Sequence, residues 1–316
     1  AEAIFQRQIA GVVALRSRGF LHDRVAVASQ EHRLEGGWRH EVRQQPGGGV
    51  YYAGMALRAL GMPVEIITRC APCDEVELVA PLHQAGASVT VLASPHSTGF
   101  VNSYGPGVDD RTQQITSLAD PFTIDAMPSI ATRAIYFGPL TNSEIPAALI
   151  KHIAGQRQHL IALDAQGFVR RVEHQSIQAA NWTEKSQILP LVDILHADIA
   201  EAAILTGTTH PEIAARRLCE MGVKHALVTL GGEGSALCHN GELLRLPAWR
   251  PTGRPWHEID STGCGDTFLA AYLYARMHGQ KFADAGRFAS VATAHKLSAF
   301  GPLQTRMQTL IAAMTA

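Results

Sequence analysis

Short apolar runs with the length of β-strands alternate with helix-length amphipathic stretches along most of this chain. No other feature narrows the fold as much. The strand-length runs fall at residues 9–15, 64–68, 134–137, 160–164, 192–196 and 226–229, and helical spacing marks 51–60, 144–154, 211–221 and 268–277. Runs that are apolar at every position must be buried on both faces. Such strands, joined by helices, build βαβ units around a mainly parallel sheet. Glycines stop several helices, at Leu60-Gly61, Met221-Gly222 and His278-Gly279. The expected fold is α/β, a three-layer α/β/α sandwich with a mostly parallel central sheet.

Two stretches break the rhythm. Residues 23–46 and 96–116 alternate polar and apolar positions, as in RVAVASQ and RTQQITS, and carry turn residues at Gly36-Gly37 and Gly105-Pro106-Gly107. Short antiparallel strands are expected there, forming a small β lid on one domain that spans 1–316. There is no linker, repeat or low-complexity segment to divide the chain.

Composition excludes several kinds of function. The 27 Lys+Arg against 28 Asp+Glu leave a formal charge of −1, so no basic field favours nucleic acid as a partner. No apolar run reaches the about 18 residues that suggest a membrane span, and the first residues lack the apolar core of a secretory signal. Five cysteines, an odd number, make no disulfide framework, and a reducing cytoplasm is the expected setting. Cys70 and Cys73 form a C-x-x-C with no second pair at metal spacing, and read as incidental cysteines at a strand end.

The chemistry concentrates in Asp260-Ser261-Thr262-Gly263-Cys264-Gly265-Asp266-Thr267, which runs directly into the helical pattern FLAAYLYARMHG. Two glycines at a helix entrance let backbone approach a ligand. The first-turn N–H groups, which lack helical partners, then offer an anion site suited to phosphate. A carboxylate beside that site repels phosphate, but it has a purpose if Asp266 accepts the proton of a hydroxyl attacking phosphorus. By spacing alone, a simple helix cap explains Asp266 equally well.

DSTGCGDTF resembles the D-[ST]-x-G-x-G-D signature of the PfkB/ribokinase family of carbohydrate and nucleoside kinases. Other segments follow in that family's order. Pro46-Gly47-Gly48-Gly49 with Leu60-Gly61 resembles its double-glycine motif and following helix. The segment from Asp198 to Glu201 resembles Asn-x-x-Glu. The stretch from Leu227 to Gly234 resembles the strand and turn at one edge of the nucleotide site. Residues 288–294, Ser290 among them, resemble the alanine-rich helix that flanks adenine. The segment 163–170, with Gly138-Pro139-Leu140, is similar to the inositol kinase-like branch.

The resemblance implies a ribokinase-like kinase that transfers the γ-phosphoryl of MgATP to a hydroxyl of a sugar, polyol or cyclitol. Asp266 is then the general base, and Gly263, Cys264 and Gly265 supply the anion hole. Glu201 organises water around Mg²⁺ with Asp198 nearby, while Thr229, Gly231, Gly234 and Ser290 line the nucleotide. Asp260 and Thr262 match positions that bind a monovalent cation, K⁺, in some relatives. The acceptor side is expected to include Asp23, Gly47, Gly48, Tyr52, Asn102 and Arg170. Tyr104 and Arg111 also fall in the lid, and His295 stands near the adenine helix. A homodimer through the lid edges is a further expectation.

Departures from the pattern bear on substrate. Tyr52 stands where many sugar kinases carry an Asn, which removes a sugar contact. Asp198 replaces an Asn, keeping acceptor oxygens and losing a donor. Cys264 replaces the commoner Ala where backbone is what matters. No G-x-x-x-x-G-K-[ST] occurs, so P-loop chemistry is out. A nucleoside kinase of the same family, and a non-catalytic ligand sensor on this fold, stay open as alternatives.

Overall fold

The computed structural model describes residues 2–8, 10–15, 42–104, 111–156, 159–249 and 261–315. Among these, the central sheet has nine strands. Their spatial order is β15 (Glu242–Leu246), β14 (Ser235–His239), β13 (His225–Thr229), β12 (Ile194–Asp198), β9 (Leu160–Asp164), β8 (Ala134–Gly138), β2 (Gly11–Leu15), β4 (Val64–Cys70) and β5 (Ser88–Ala93). Strands β2 and β14 run against the other seven, so the sheet is mixed with one dominant direction.

Each expected apolar run overlaps a strand of this sheet, although Ile9 lies outside the described residues and 192–193 precede β12, and the strand side chains alternate between two cores as the two-residue repeat requires. Val13, Ile66, Tyr136, Ala162, Ile194 and Leu227 face α1 (Gly49–Ala59), α2 (Glu75–Gln84), α7 (Cys264–Met277), α8 (Phe282–Leu297) and α9 (Met307–Thr315). Their neighbours Val12, Ile67, Ile135, Ile161, Leu195 and Ala226 face α3 (Ala147–Gly155), α4 (Lys185–Ile188), α5 (Ile199–Thr206) and α6 (Pro211–Glu220). Helices on both faces make the three layers. Each fully buried Val, Leu or Ile contributes about 1.5–3 kcal/mol by leaving water. The stop glycines Gly61, Gly222 and Gly279 adopt φ of 82°, 106° and 77°, as a left-handed helix end requires.

A second sheet of six described strands runs β10 (Arg170–Glu173), β11 (Ser176–Ala179), β7 (Arg111–Ser117), β6 (Gly99–Tyr104), β1 (Glu2–Gln8) and β3 (Val42–Gly47). It holds the 99–117 hairpin and the end of the 23–46 stretch, whose residues 23–41 lie outside the described ones. Strand β1 and the β10–β11 hairpin also belong to it, although neither has the look of a flap in sequence. Ala10, Phe100, Ile115 and Leu140 form its small core.

One helix starts later than its spacing suggests. Residues 144–146 are not helical, and α3 begins after Pro146. The buried Glu144 carboxylate instead accepts the N–H groups of Leu140 and Thr141 at 2.7 and 2.9 Å and the Thr98 hydroxyl at 2.8 Å, closing a turn.

Candidate active site

In α/β sheets, ligands bind beyond the carboxyl ends of parallel strands. Here those ends carry Gly138 on β8, Asp164 on β9, Asp198 on β12 and Thr229 on β13, and the start of α7 lies against them. Gly263 caps α7 with φ 78°, and its carbonyl accepts the backbone N–H and hydroxyl of Thr267 at 3.0 and 2.8 Å. The Cys264 N–H turns back to Ser261 O at 3.2 Å, and Thr262 is buried.

The two loop glycines are required by the protein as well as by any ligand. A Cβ on Gly263 would lie 2.2 Å from Tyr52 Cγ, and one on Gly265 would lie 2.7 Å from His196 Cε1. The α7 turn is thus pressed onto two rings. Tyr52, read from sequence as an acceptor contact, is 1% exposed and supports the underside of Gly263, with Lys296 Nζ 5.7 Å from its ring centroid.

Asp266 sits in the first turn of α7 and faces two other elements. Its Oδ1 accepts a hydrogen bond from the Tyr136 hydroxyl of β8 at 2.8 Å. A Cβ on Gly49, the first residue of α1, would lie 3.1 Å from that same oxygen and 3.2 Å from Gly138 Cα. Gly48 caps α1 with φ 97°, and Gly47 ends β3. The glycine run therefore brings the start of α1 against Asp266, and Gly49 is the member that touches it. Burial, with the charge of Asp164, pushes the Asp266 carboxyl up to about 6, opposed by the Tyr136 hydrogen bond and by His196 and Arg170. This raises its proton affinity toward that of a group suited to taking a proton near pH 7.

A second cluster lies alongside. Asp198 caps α5, its Oδ1 accepting the Glu201 N–H at 2.7 Å, while Glu201 Oε2 accepts the Asp198 N–H at 2.9 Å. This reciprocal capping box fixes the Glu201 side chain. Glu201 Oε1 is buried without a hydrogen bond, 3.6 Å from an Arg170 Nη. Burial and the charges of Asp198 and Asp164 push Glu201 up to about 8, with Arg170 opposing. A bare buried carboxylate oxygen among further carboxylates is a fit for a cation such as Mg²⁺. Arg170 also donates to Gln113 of β7 at 3.2 Å.

Behind both clusters, His196 Nδ1 lies 2.8 Å from Asp164 Oδ2 and Nε2 lies 3.1 Å from Thr229 Oγ1. After β13 the chain turns through Gly231 and Gly234, whose φ values are 55° and 94°. A Cβ on Gly234 would collide with Leu246 O, whereas Gly231 faces open space. Ser290 is part-buried on α8, and Trp249, which follows β15, stacks over His295 of that helix at 5.6 Å. Asn102 stands in β6 opposite Ile4 and Gln113. Asp23 and Asp260 lie outside the described residues. Sequence reasoning missed Tyr136, His196 and Asp164 as site residues. The available signal was a polar residue inside, or at the end of, an otherwise apolar strand, which burial obliges to find a partner.

Residues 135–308, more than half of the chain, match the pfkB family carbohydrate kinase profile. The chain belongs to the pfkB family of carbohydrate kinases. These are phosphotransferases with an alcohol group as acceptor. A ribokinase of Arabidopsis thaliana is 36% identical over 112 residues, covering 34% of this chain and 29% of that one, so the matched segment spans less than a third of that relative. A pyrophosphate-dependent kinase in the ribokinase family, solved with a pyrophosphate analog and myo-inositol, superposes with a TM-score of 0.73 at 29% identity, covering 82% of this chain and 90% of that one. Ribokinase from Thermotoga maritima superposes with a TM-score of 0.69 at 16% identity over 100% of this chain and 97% of its own. The fold is therefore ribokinase-like.

Proposed function

We propose that this chain transfers a phosphoryl group to a hydroxyl of a sugar, polyol or cyclitol, with Asp266 as the general base. The observation that carries the reading is the Asp266 carboxylate at the start of α7. One oxygen is held by Tyr136 at 2.8 Å, which leaves the other to take the acceptor's proton. Amide groups of the same helix turn face the transferring phosphoryl, where the helix dipole favours the charge that develops. A sensor has no need of a base against its phosphate site. Glu201, with Asp198 nearby, would hold Mg²⁺ through water, and the metal would supply countercharge to the donor's phosphates. The second sheet serves as the lid of a single domain, working in the cytoplasm, and its edges offer a route to a homodimer. Thr262, with Asp260, supplies the K⁺ position.

MgATP is the first donor to consider. Pyrophosphate is the second, and one observation favours it: the Trp249 ring stacks on His295 of α8 at 5.6 Å, covering a ring on the helix read as the adenine wall. A relative at 29% identity is pyrophosphate-dependent. The deciding experiment follows ³¹P NMR of ATP and of pyrophosphate with pooled sugars, polyols, cyclitols and nucleosides. A phosphomonoester formed from a sugar, polyol or cyclitol supports the reading, and the donor consumed chooses between the two. Transfer confined to nucleosides, or none at all, overturns it.

A further inference from the structure

Among the described residues, Lys296 is the only Lys or Arg that is buried, at 0% exposure in the last turn of α8. A lysine is rarely withdrawn completely from water, because its charged end must then find compensation. The core of α8 does not call for one, since its other buried positions, from Phe282 to Ala294, are all apolar. Lys296 Nζ lies over the Tyr52 ring of α1, 5.7 Å from its centroid, within the range at which a cation is attracted to an aromatic face. The same ring carries the α7 turn. A Cβ on Gly263, the residue that caps α7 with φ 78°, would lie 2.2, 2.3 and 2.6 Å from Tyr52 Cγ, Cδ1 and Cδ2. Tyr51 packs edge-on against the ring at 5.3 Å. Three helices therefore meet at one ring, α8 through a charge and α7 through bare backbone.

We propose that Lys296 is a positioning residue for phosphoryl transfer: through its attraction to the Tyr52 ring it holds the Gly263 turn, and with it the first amides of α7, where the phosphoryl group is received. The proposal rests on the kinase reading above. The physical demand is rigidity. An anion hole works only if its donors already stand in place when charge develops, and a glycine turn has no side chain with which to fix itself. The Tyr52 ring is the floor of that turn, and Lys296 keeps the floor from shifting. In this role Lys296 touches neither donor nor acceptor. Its loss misplaces the amides, and small displacements at a reacting centre cost rate steeply.

The test is a double-mutant cycle. Lys296→Met keeps an unbranched stem and removes the charge, while Tyr52→Leu removes the ring. Each variant should lose kcat by at least tenfold with KM for the acceptor within threefold. The double variant should fall no more than twofold below the worse single, because both residues act through one contact. A folded Lys296→Met with kcat within twofold of wild type overturns the proposal, even if its Tm is lower, since the lysine then serves only α8. Losses that multiply in the double variant overturn it too. If a variant does not fold, ¹³C NMR of the lysine-labelled wild type decides, with inorganic sulfate as the probe of the α7 turn and chloride at equal ionic strength as the control. The Lys296 Cε signal should move saturably with sulfate; a signal that sulfate leaves unmoved overturns the proposal. If the wild type transfers no phosphoryl group from either donor, the kinase reading fails by itself, and the sulfate titration still decides whether Lys296 is coupled to the turn.

Discussion

The Tyr136 hydroxyl donates to Asp266 Oδ1 across 2.8 Å, joining the end of a central strand to the first turn of the helix that carries the proposed base. Tyr136 is fully buried, and burial together with the Asp266 charge holds its own proton well above pH 10. The hydroxyl is thus a donor at every working pH, and it anchors one oxygen of Asp266.

Tyr136→Phe should leave the fold intact, because only an oxygen is removed from a packed ring. A hydrogen bond to a charged group is worth about 1.5–3 kcal/mol, so kcat should fall by roughly tenfold to a hundredfold. The acid limb of kcat/KM should move up, since the bond lowers the Asp266 proton affinity. An unmoved acid limb would show that the hydroxyl does not tune the base.

Asp266→Asn tests the base directly, because Gly263 and not Asp266 caps α7, so the helix-cap reading of the sequence does not hold. Loss of a general base costs about 10²–10⁴ in rate. The expected variant binds donor at least as well and loses kcat by a hundredfold or more. The stability sign is also distinctive. Between the unfolded value of 3.8 and the folded value of about 6, the native state holds the extra proton, so wild-type stability falls as pH rises through that window. The variant should therefore be the more stable protein at pH 7, with the difference vanishing below about pH 4. Urea titrations at pH 4 and 7 check this.

Gly265→Ala and Gly231→Ala form a matched pair. The first places a methyl group 2.7 Å from His196 Cε1 and must displace the ring or the α7 turn. The second faces open space at φ 55°, so only backbone strain of about 1–3 kcal/mol opposes it. Activity should collapse in Gly265→Ala at unchanged donor concentration. In Gly231→Ala, melting temperature should fall while kcat stays within a few-fold.

His225 stacks on His239 at 3.7 Å and faces the Tyr272 hydroxyl at 2.9 Å. Burial, with the charges of His239, Arg276 and Lys224, pushes its imidazole down to about 3. The unfolded chain takes up that proton near pH 6.5, so this site withdraws stability as pH falls from about 6.5 towards 3. His225→Gln should flatten that part of the stability profile relative to wild type. An identical profile would remove His225 as the cause.

Strands were the most legible part of the fold, because an apolar run buried on both faces needs no partner to be recognised. Strand β1 and the β10–β11 hairpin were not, since EAIFQRQ and RRVE carry little of that pattern and pair only once the second sheet exists. At the site, Gly263, Gly265 and Asp266 were legible from their spacing at a helix entrance. The other reason for those glycines was not, because Tyr52 and His196 come from elements far away in sequence. Tyr136 and His196 escaped notice because a single polar residue in an apolar strand is usually only a satisfied core group. Glu144 showed the opposite failure: a helix-forming residue was taken from its helix by three hydrogen bonds around a turn.

Arg170 reaches Gln113 of the second sheet with one Nη and stands 3.6 Å from Glu201 of the main body with the other. A ligand that draws β7 inward or outward therefore changes the countercharge on Glu201, and a cation arriving at Glu201 competes with Arg170 for the same oxygen. Each ligand's affinity then depends on whether the other is bound. Thermodynamic linkage would make the factor identical in both directions, so a ligand that moves β7 and a cation bound at Glu201 would each report on the other.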